Sequence, residues 1–290
     1  MRAICSGLRR CGDEQVIAPQ SPYDPMMEIR GKRVLITGAS RGIGESLAHA
    51  FAEAGATVAL VARTKDAIET LAAALGGTAH VADLSDPTQV ATLIERVEDE
   101  AGPIDVLVNN AGVGTGGDFA TASADMLRHV TQVNYLAPAE LSRQVIPRML
   151  QRGGGHIVNV SSMAGSSPFP GLAVYSASKA ALSHFTAGLR ADLRGLPIST
   201  TLVELGPIPT DMLAEAESYV PTAKAFQRAY RTRLIVDVPR EKVAEEVVKA
   251  VCKGRRHVRL PKRGAAFPML TEMPRRATEL LLTGVPHRVK

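Results

Sequence analysis

The sequence predicts a single doubly wound α/β domain, a parallel sheet of about seven strands with helices on both faces. Three observations carry the prediction. Short apolar runs, each too short for a helix, alternate with longer stretches of helical period. The alternation continues from residue 29 to residue 261 with no second core and no internal repeat. A glycine cluster directly follows the first apolar run and opens the first amphipathic stretch.

Arg33–Thr37 (RVLIT) reads as a buried strand, and Ile43, Leu47 and Phe51 recur behind it at helical spacing until Gly55. Thr57–Val61 and Thr78–Ala82 are the next two strands, separated by a helix through Leu71 and Leu75. Val90, Leu93 and Val97 mark the following helix, and Ile104–Val108 the fourth strand. Leu141, Val145 and Met149 lead to a fifth strand at Gly155–Val160. A long helix over 173–193 precedes a sixth strand at Ser199–Leu205. Val243, Val247 and Val251 define a late helix, and His257–Leu260 a seventh strand. Residues 1–28 mix Pro, Ser, Asp and Gln without a period and are expected to be an extension.

Composition excludes several classes. Apolar content of 45% and charged content of 22% suit a soluble globular chain. With 4% aromatics and no Trp, base stacking on single-stranded nucleic acid is disfavoured, so no nucleic-acid partner is expected. No apolar run is long enough to span a bilayer, and the start lacks the apolar stretch of a secretory signal. Cys5, Cys11 and Cys252 form no metal-ligand pattern, which suits a reducing, cytoplasmic setting. Between 253 and 290, ten Lys/Arg face two Glu, a net of +8. The remainder of the chain therefore holds −3 of the overall +5.

The turn after the first strand reads Thr37-Gly38-Ala39-Ser40-Arg41-Gly42-Ile43-Gly44. Glycines 38, 42 and 44 permit a tight turn and close approach to a pyrophosphate at the helix amino end, with Ser40, Arg41 and Ile43 between them. At the end of the second strand, a carboxylate would accept a ribose 2′-hydroxyl and repel a 2′-phosphate. Ala62 and Arg63 stand there instead, and Arg41 supplies a second guanidinium. Two such cations favour NADP(H) over NAD.

Further along come Asp83 after strand three, Asn109-Asn110-Ala111-Gly112 after strand four, and Tyr175 and Lys179 on one face of the long helix. With the G-x-x-x-G-x-G spacing, these segments resemble the short-chain dehydrogenase/reductase family over about residues 30–260. The resemblance implies a Rossmann-type, NADP-binding catalytic domain over 29–261 that interconverts a carbonyl and an alcohol by hydride transfer. It implies that Tyr175 transfers the proton, Ser162 polarises the substrate oxygen, and Asn134 holds a relay water. Asp83 would lie near the adenine, and Asn110, Ala111 and Gly112 would shape the cofactor floor. Gly206, Ile208 and Thr210 match the family's loop after strand six, although Leu205 replaces its usual proline. Lys179 is expected to bind the ribose and to depress the Tyr175 pKa below its usual value of about 10. Ser161 is expected to point the other way, and the chemistry calls for no metal.

Residues 211–235 match the family's substrate lid, and 166–171 should border the substrate pocket. Their apolar side chains suggest an acyl, retinoid or steroid-like small molecule. Residues 262–290 form a basic extension that could touch an anionic membrane surface, although a cap over the lid or a partner subunit is favoured. A homo-oligomer is expected. A non-catalytic dinucleotide sensor would lack one of the four catalytic residues, and all four are filled. A sugar-nucleotide epimerase would carry a larger C-terminal domain.

Overall fold

The computed structural model describes residues 27–265 apart from 168 and 234, together with 269, 270, 273, 274 and 277. The chain runs β1 (Arg33–Thr37), α1 (Gly42–Glu53), β2 (Thr57–Ala62), α2 (Lys65–Leu75), β3 (Thr78–Val81), α3 (Pro87–Ala101) and β4 (Val106–Asn109). It continues with α4 (Ala124–Thr131), a π-helical turn (Gln132–Leu136), α5 (Ala137–Gln151), β5 (Gly155–Ser162), α6 (Ala173–Asp192) and β6 (Ile198–Leu205). Then follow α7 (Asp211–Glu217), α8 (Val220–Arg231), α9 (Arg240–Cys252) and β7 (His257–Leu260).

Local signals set several boundaries. Asp86 caps α3 by accepting from the Thr88 amide, with Pro87 pre-set at the first helical position. Gly76 ends α2 in a left-handed conformation at φ 65°. Ser123 caps α4 by accepting from Met126 N–H.

The seven strands form one parallel sheet in the order β3-β2-β1-β4-β5-β6-β7. Winding therefore reverses between β1 and β4, opening a crevice beyond their carboxyl ends. Side chains alternate across the sheet, so β1 serves two cores. Val34 and Ile36 pack with Leu47 and Phe51 of α1 and Val243, Val247 and Val251 of α9. Leu35 faces Leu93 and Val97 of α3 and Leu141 and Met149 of α5 on the opposite side. Burial on both faces explains why the strands read as continuous apolar runs.

Differences from the sequence reading lie at edges. β4 begins at Val106 rather than Ile104, because the Ile104 amide is taken by Glu98 Oε1 at 3.0 Å. β5 extends to Ser162, paired opposite Leu205. Met27, placed in the extension by sequence, donates its amide to Cys252 O at 3.1 Å and packs on the core. Residues 1–26 and the short helix expected around Leu280–Leu282 lie outside the described residues. Among the described residues no helix is long and apolar enough to cross a membrane.

Phe51 is fully buried beneath α9. Phe51→Ala should lower unfolding stability by about 3–5 kcal/mol through lost burial and a residual cavity. A denaturant titration with an unchanged midpoint would contradict that packing.

Candidate active site

The glycine turn is held by the end of β4. Thr37 Oγ1 accepts from the Asn110 and Ala111 amides, both at 3.1 Å, and donates to Val108 O at 3.4 Å. Asn110 Nδ2 donates to Thr37 O at 2.9 Å and to Gly38 O at 3.3 Å. Gly38 has φ 67°, and a Cβ there would lie 2.8 Å from Ala111 Cα. A Cβ on Gly44 would overlap the Gly38 carbonyl and approach Asn110 Nδ2 to 2.7 Å. The loop can therefore fold this tightly only with glycine at both places.

Arg41 occupies the N-cap position of α1 but makes no side-chain cap. The first-turn amides of this 12-residue helix thus lack a side-chain acceptor, which suits a pyrophosphate. Ser40 lies half-buried in the turn, and Ile43 turns its side chain into the core. Ala62 closes β2 almost buried, and Arg63 follows it exposed. Burial works against the Asp83 carboxylate. Bonds from the Ser85 amide at 2.9 Å and hydroxyl at 2.8 Å, with Arg63 nearby, still hold its pKa below the ordinary value. The residues present fit a dinucleotide: a tight glycine turn, helix amides free of side-chain caps, and the Arg63 guanidinium near Asp83.

Tyr175 and Lys179 come from α6, and Ser162 from the end of β5. Ser161 anchors the two together: its hydroxyl donates to Lys179 O at 2.9 Å and bonds Ser183 at 2.8 Å, on the far side from Ser162. Ser162 Oγ accepts from Ala164 N–H at 3.1 Å, donates to Leu205 O at 3.3 Å and lies close enough to the Tyr175 hydroxyl to influence its proton. Lys179 is buried, with Nζ donating to Val160 O at 3.0 Å and lying 6.0 Å from the Tyr175 ring centre. A Cβ on Gly112 would stand 3.2 Å from that Nζ and 3.4 Å from Asn134 Oδ1, so Gly112 lets the lysine and asparagine converge.

The electrostatics differ from the sequence expectation. Burial raises the Tyr175 pKa, and the nearby Ser162 hydroxyl offsets this only in part. Burial also lowers Lys179 to about 8. The ammonium bonds Val160 O instead of the phenol, so it does not bring the tyrosine pKa down.

Asn134 is fully buried, and its side chain is committed. Oδ1 accepts from Val113 N–H at 2.8 Å, while Nδ2 donates to Val113 O and Ser178 Oγ, each at 3.0 Å. Ser178 in turn donates to Tyr175 O at 2.7 Å. The π-helical turn explains how a mid-helix asparagine is tolerated: Ala137 N–H reaches back to Gln132 O. Pro138, four residues after Asn134, has no N–H to give its carbonyl. Thr37, Ser178 and Pro138 support this geometry without having been singled out from the sequence, although the N-x-x-x-P spacing is visible there.

Thr210 precedes α7 and lies near the turn, its Cγ2 3.9 Å from where a Gly42 Cβ would be. Gly206 donates to Leu260 O at 2.7 Å, and Ile208 is buried in the core. Residues 211–235, read from sequence as a lid, contain α7 and α8 with a small core of their own. Phe226, Ala216 and Leu172 are buried there with Leu213 and Phe169, the two Phe rings 5.0 Å apart. Much of the segment's apolar content is thus packing. Between this lid and the loop after β4 runs a cleft of about 570 Å³, lined among others by Phe119, Met126, Gly171, Val174 and Tyr219.

A doubly wound parallel sheet with a glycine turn at its switch point is the architecture of dinucleotide-binding proteins. The family model described as short chain dehydrogenase matches residues 32–220, and the chain belongs to that family of oxidoreductases. Ketoacyl reductase HetN of a Nostoc species is 36% identical over 232 residues, covering 78% of this chain and 77% of that protein. A short-chain dehydrogenase from Sphingobium yanoikuyae in complex with NADPH superposes with TM-score 0.72 at 28% identity, over 89% of this chain and 98% of that one. One from Burkholderia phymatum in complex with NAD gives 0.73 at 28%, over 88% and 97%.

Lys179 carries a folded-state pKa of about 8 against an ordinary 10.5. Between those values the unfolded chain binds more protons, so this group adds stability as pH rises. Lys179→Met removes that slope. The stability difference between wild type and variant should therefore move in favour of wild type from pH 8 to 10.5, read by denaturant midpoints. Parallel pH profiles would contradict a depressed lysine.

Proposed function

We propose that the chain is an NADP(H)-dependent oxidoreductase interconverting a carbonyl and an alcohol, with Tyr175 as the general acid/base. The observation that carries this reading is the convergence of Tyr175, Ser162 and Lys179, with Lys179 facing Gly112, the neighbour of the Ala111 on which the glycine turn packs. A nicotinamide cofactor held there would supply the hydride chemistry at the substrate carbon.

Burial raises the Tyr175 pKa, so the phenol is protonated at neutral pH and can serve as the acid of a reduction. Tyr175 donates its proton to the developing alkoxide, and the Ser162 hydroxyl bonds the same oxygen. Lys179, held on Val160 O and facing Gly112, is placed to bond a ribose hydroxyl. Asn134 positions the Val113 strand and, through Ser178, the backbone of Tyr175. Its carbonyl lacks an amide from Pro138, which makes that carbonyl, rather than the side chain, the acceptor suited to a relay water.

Arg63, exposed beside Ala62 with no carboxylate at the strand end, is the cation suited to a 2′-phosphate. Gly206, Ile208 and Thr210 would lie along the nicotinamide side. The cleft beside Val174 combines Phe119, Met126 and Tyr219 with hydroxyls, which suits an apolar ketone or ketoacyl chain. The name of the Nostoc relative, a ketoacyl reductase, supports carbonyl chemistry.

The test is NADPH oxidation across aliphatic, acyl, steroid and retinoid ketones and aldehydes. Tyr175→Phe should lose roughly a hundredfold or more in kcat while still binding NADPH. Retained turnover in that variant would refute the proposed acid. Arg63→Ala should weaken NADPH about ten- to a hundredfold and leave NADH nearly unchanged, as expected for loss of one charge-assisted contact. An equal loss for both nucleotides would remove Arg63 from phosphate reading.

A further inference from the structure

The glycine turn and the lid meet through one ion pair. Arg41 Nη1 lies 2.5 Å from Asp211 Oδ2, joining residues 170 apart in sequence. Arg41 precedes the first turn of α1, and Asp211 is the first residue of α7. A second contact supports the junction, since Thr210 Cγ2 approaches the Cβ direction of Gly42 to 3.9 Å. Other lid anchors lie elsewhere: α7 and α8 pack on Leu172 and Phe169, Met212 and Ala216 abut Gly114 and Gly116, Thr222 donates to Pro170 O at 2.7 Å, and Tyr230 donates to Asp237 at 2.6 Å. The other charge close to this end of α1, Glu45, is engaged by Arg240 at 3.4 Å.

We propose that Arg41 and Asp211 form a latch holding the lid on the glycine turn, and that Asp211 competes with the 2′-phosphate of NADP(H) for Arg41. The inference rests on the proposed cofactor. A guanidinium can bond a carboxylate or a phosphate bidentately, and engagement by one withdraws donors from the other. Both side chains are about three-quarters exposed, so the pair is screened and weak enough to exchange. Entry of NADP(H) would draw Arg41 off Asp211 and free the start of α7, whereas NAD(H), having no 2′-phosphate, would leave the latch closed. Arg63 makes no ion pair of bonding length among the described residues, Asp83 feeling its charge only at longer range, so the two arginines divide the work. Arg63 reads the phosphate, and Arg41 couples that reading to the lid.

Binding and proteolysis test this without turnover. In full-length protein, Asp211→Asn should tighten NADP⁺ about two- to fivefold by calorimetry and leave NAD⁺ unchanged, the size expected of an exposed pair. Trypsin, without nucleotide, should cut the lid at Lys224, Arg228, Arg231 or Arg233 several-fold faster in Asp211→Asn than in wild type. Arg41→Gln should show the same acceleration, which a mere loss of α7 stability in Asp211→Asn would not produce. Unchanged NADP⁺ affinity, an equal gain for NAD⁺, or unchanged cleavage in either variant would overturn the latch. Wild-type protein that binds neither nucleotide would refute the cofactor assignment instead, and the nucleotide-free cleavage would still judge the latch.

Discussion

The close approach of β1 and β4 at their carboxyl ends is the constraint from which the rest of the site follows. These strands are neighbours in space although two strands and three helices separate them in the chain. Their pairing brings Gly38 against Ala111 so closely that no side chain fits between. Thr37 and Asn110 then tie the turn to the β4 end with hydrogen bonds made partly inside the protein, where an unmade bond would be expensive. The amino end of α1 is thereby aimed into the crevice. Gly112, three residues beyond β4, lands where Lys179 and Asn134 converge.

Tyr175, Ser162 and Lys179 depend on a second, equally buried set of contacts. Asn109 donates to Asn159 at 2.8 Å, Asn159 to Thr186 at 2.9 Å, and Ser161 to Lys179 O, so β4, β5 and α6 are cross-linked through the core. This network fixes how far α6 stands from the end of β5, and so the reach between Tyr175 and Ser162. The same burial that gives precision sets the proton affinities. It raises the phenol and lowers the ammonium, because low-dielectric surroundings penalise both charged forms. Burial thus holds Tyr175 as a neutral phenol and makes Lys179 easier to deprotonate, with its ammonium bonded to Val160 O and not to the phenol.

The lid obeys a different logic. Its helices bury Phe226 and Ala216 against Leu172, a core separate from the two that sandwich the sheet. That core is tied to the body by Thr222 Oγ1 donating to Pro170 O at 2.7 Å and by Met212 and Ala216 packed on Gly114 and Gly116, and none of these contacts reaches the glycine turn. That arrangement makes the charged contact between Arg41 and Asp211 consequential despite its exposure.

Strand and helix order, the glycine turn and the Tyr175/Lys179 pair were legible in the sequence, because periodicity and spacing along the chain encode them directly. β1 falls where the apolar run RVLIT stands, as a strand buried on both faces requires, and β7 where HVRL alternates polar and apolar, as an edge strand buried on one face does. Other features depend on residues distant in the chain. Val113 and Ser178 take the side chain of Asn134, Asp211 takes Arg41, and the lid's own core takes Phe169 and Phe226. The direction in which Tyr175 titrates was likewise decided by tertiary structure, because desolvation depends on what surrounds a group and not on which residue lies one helical turn away.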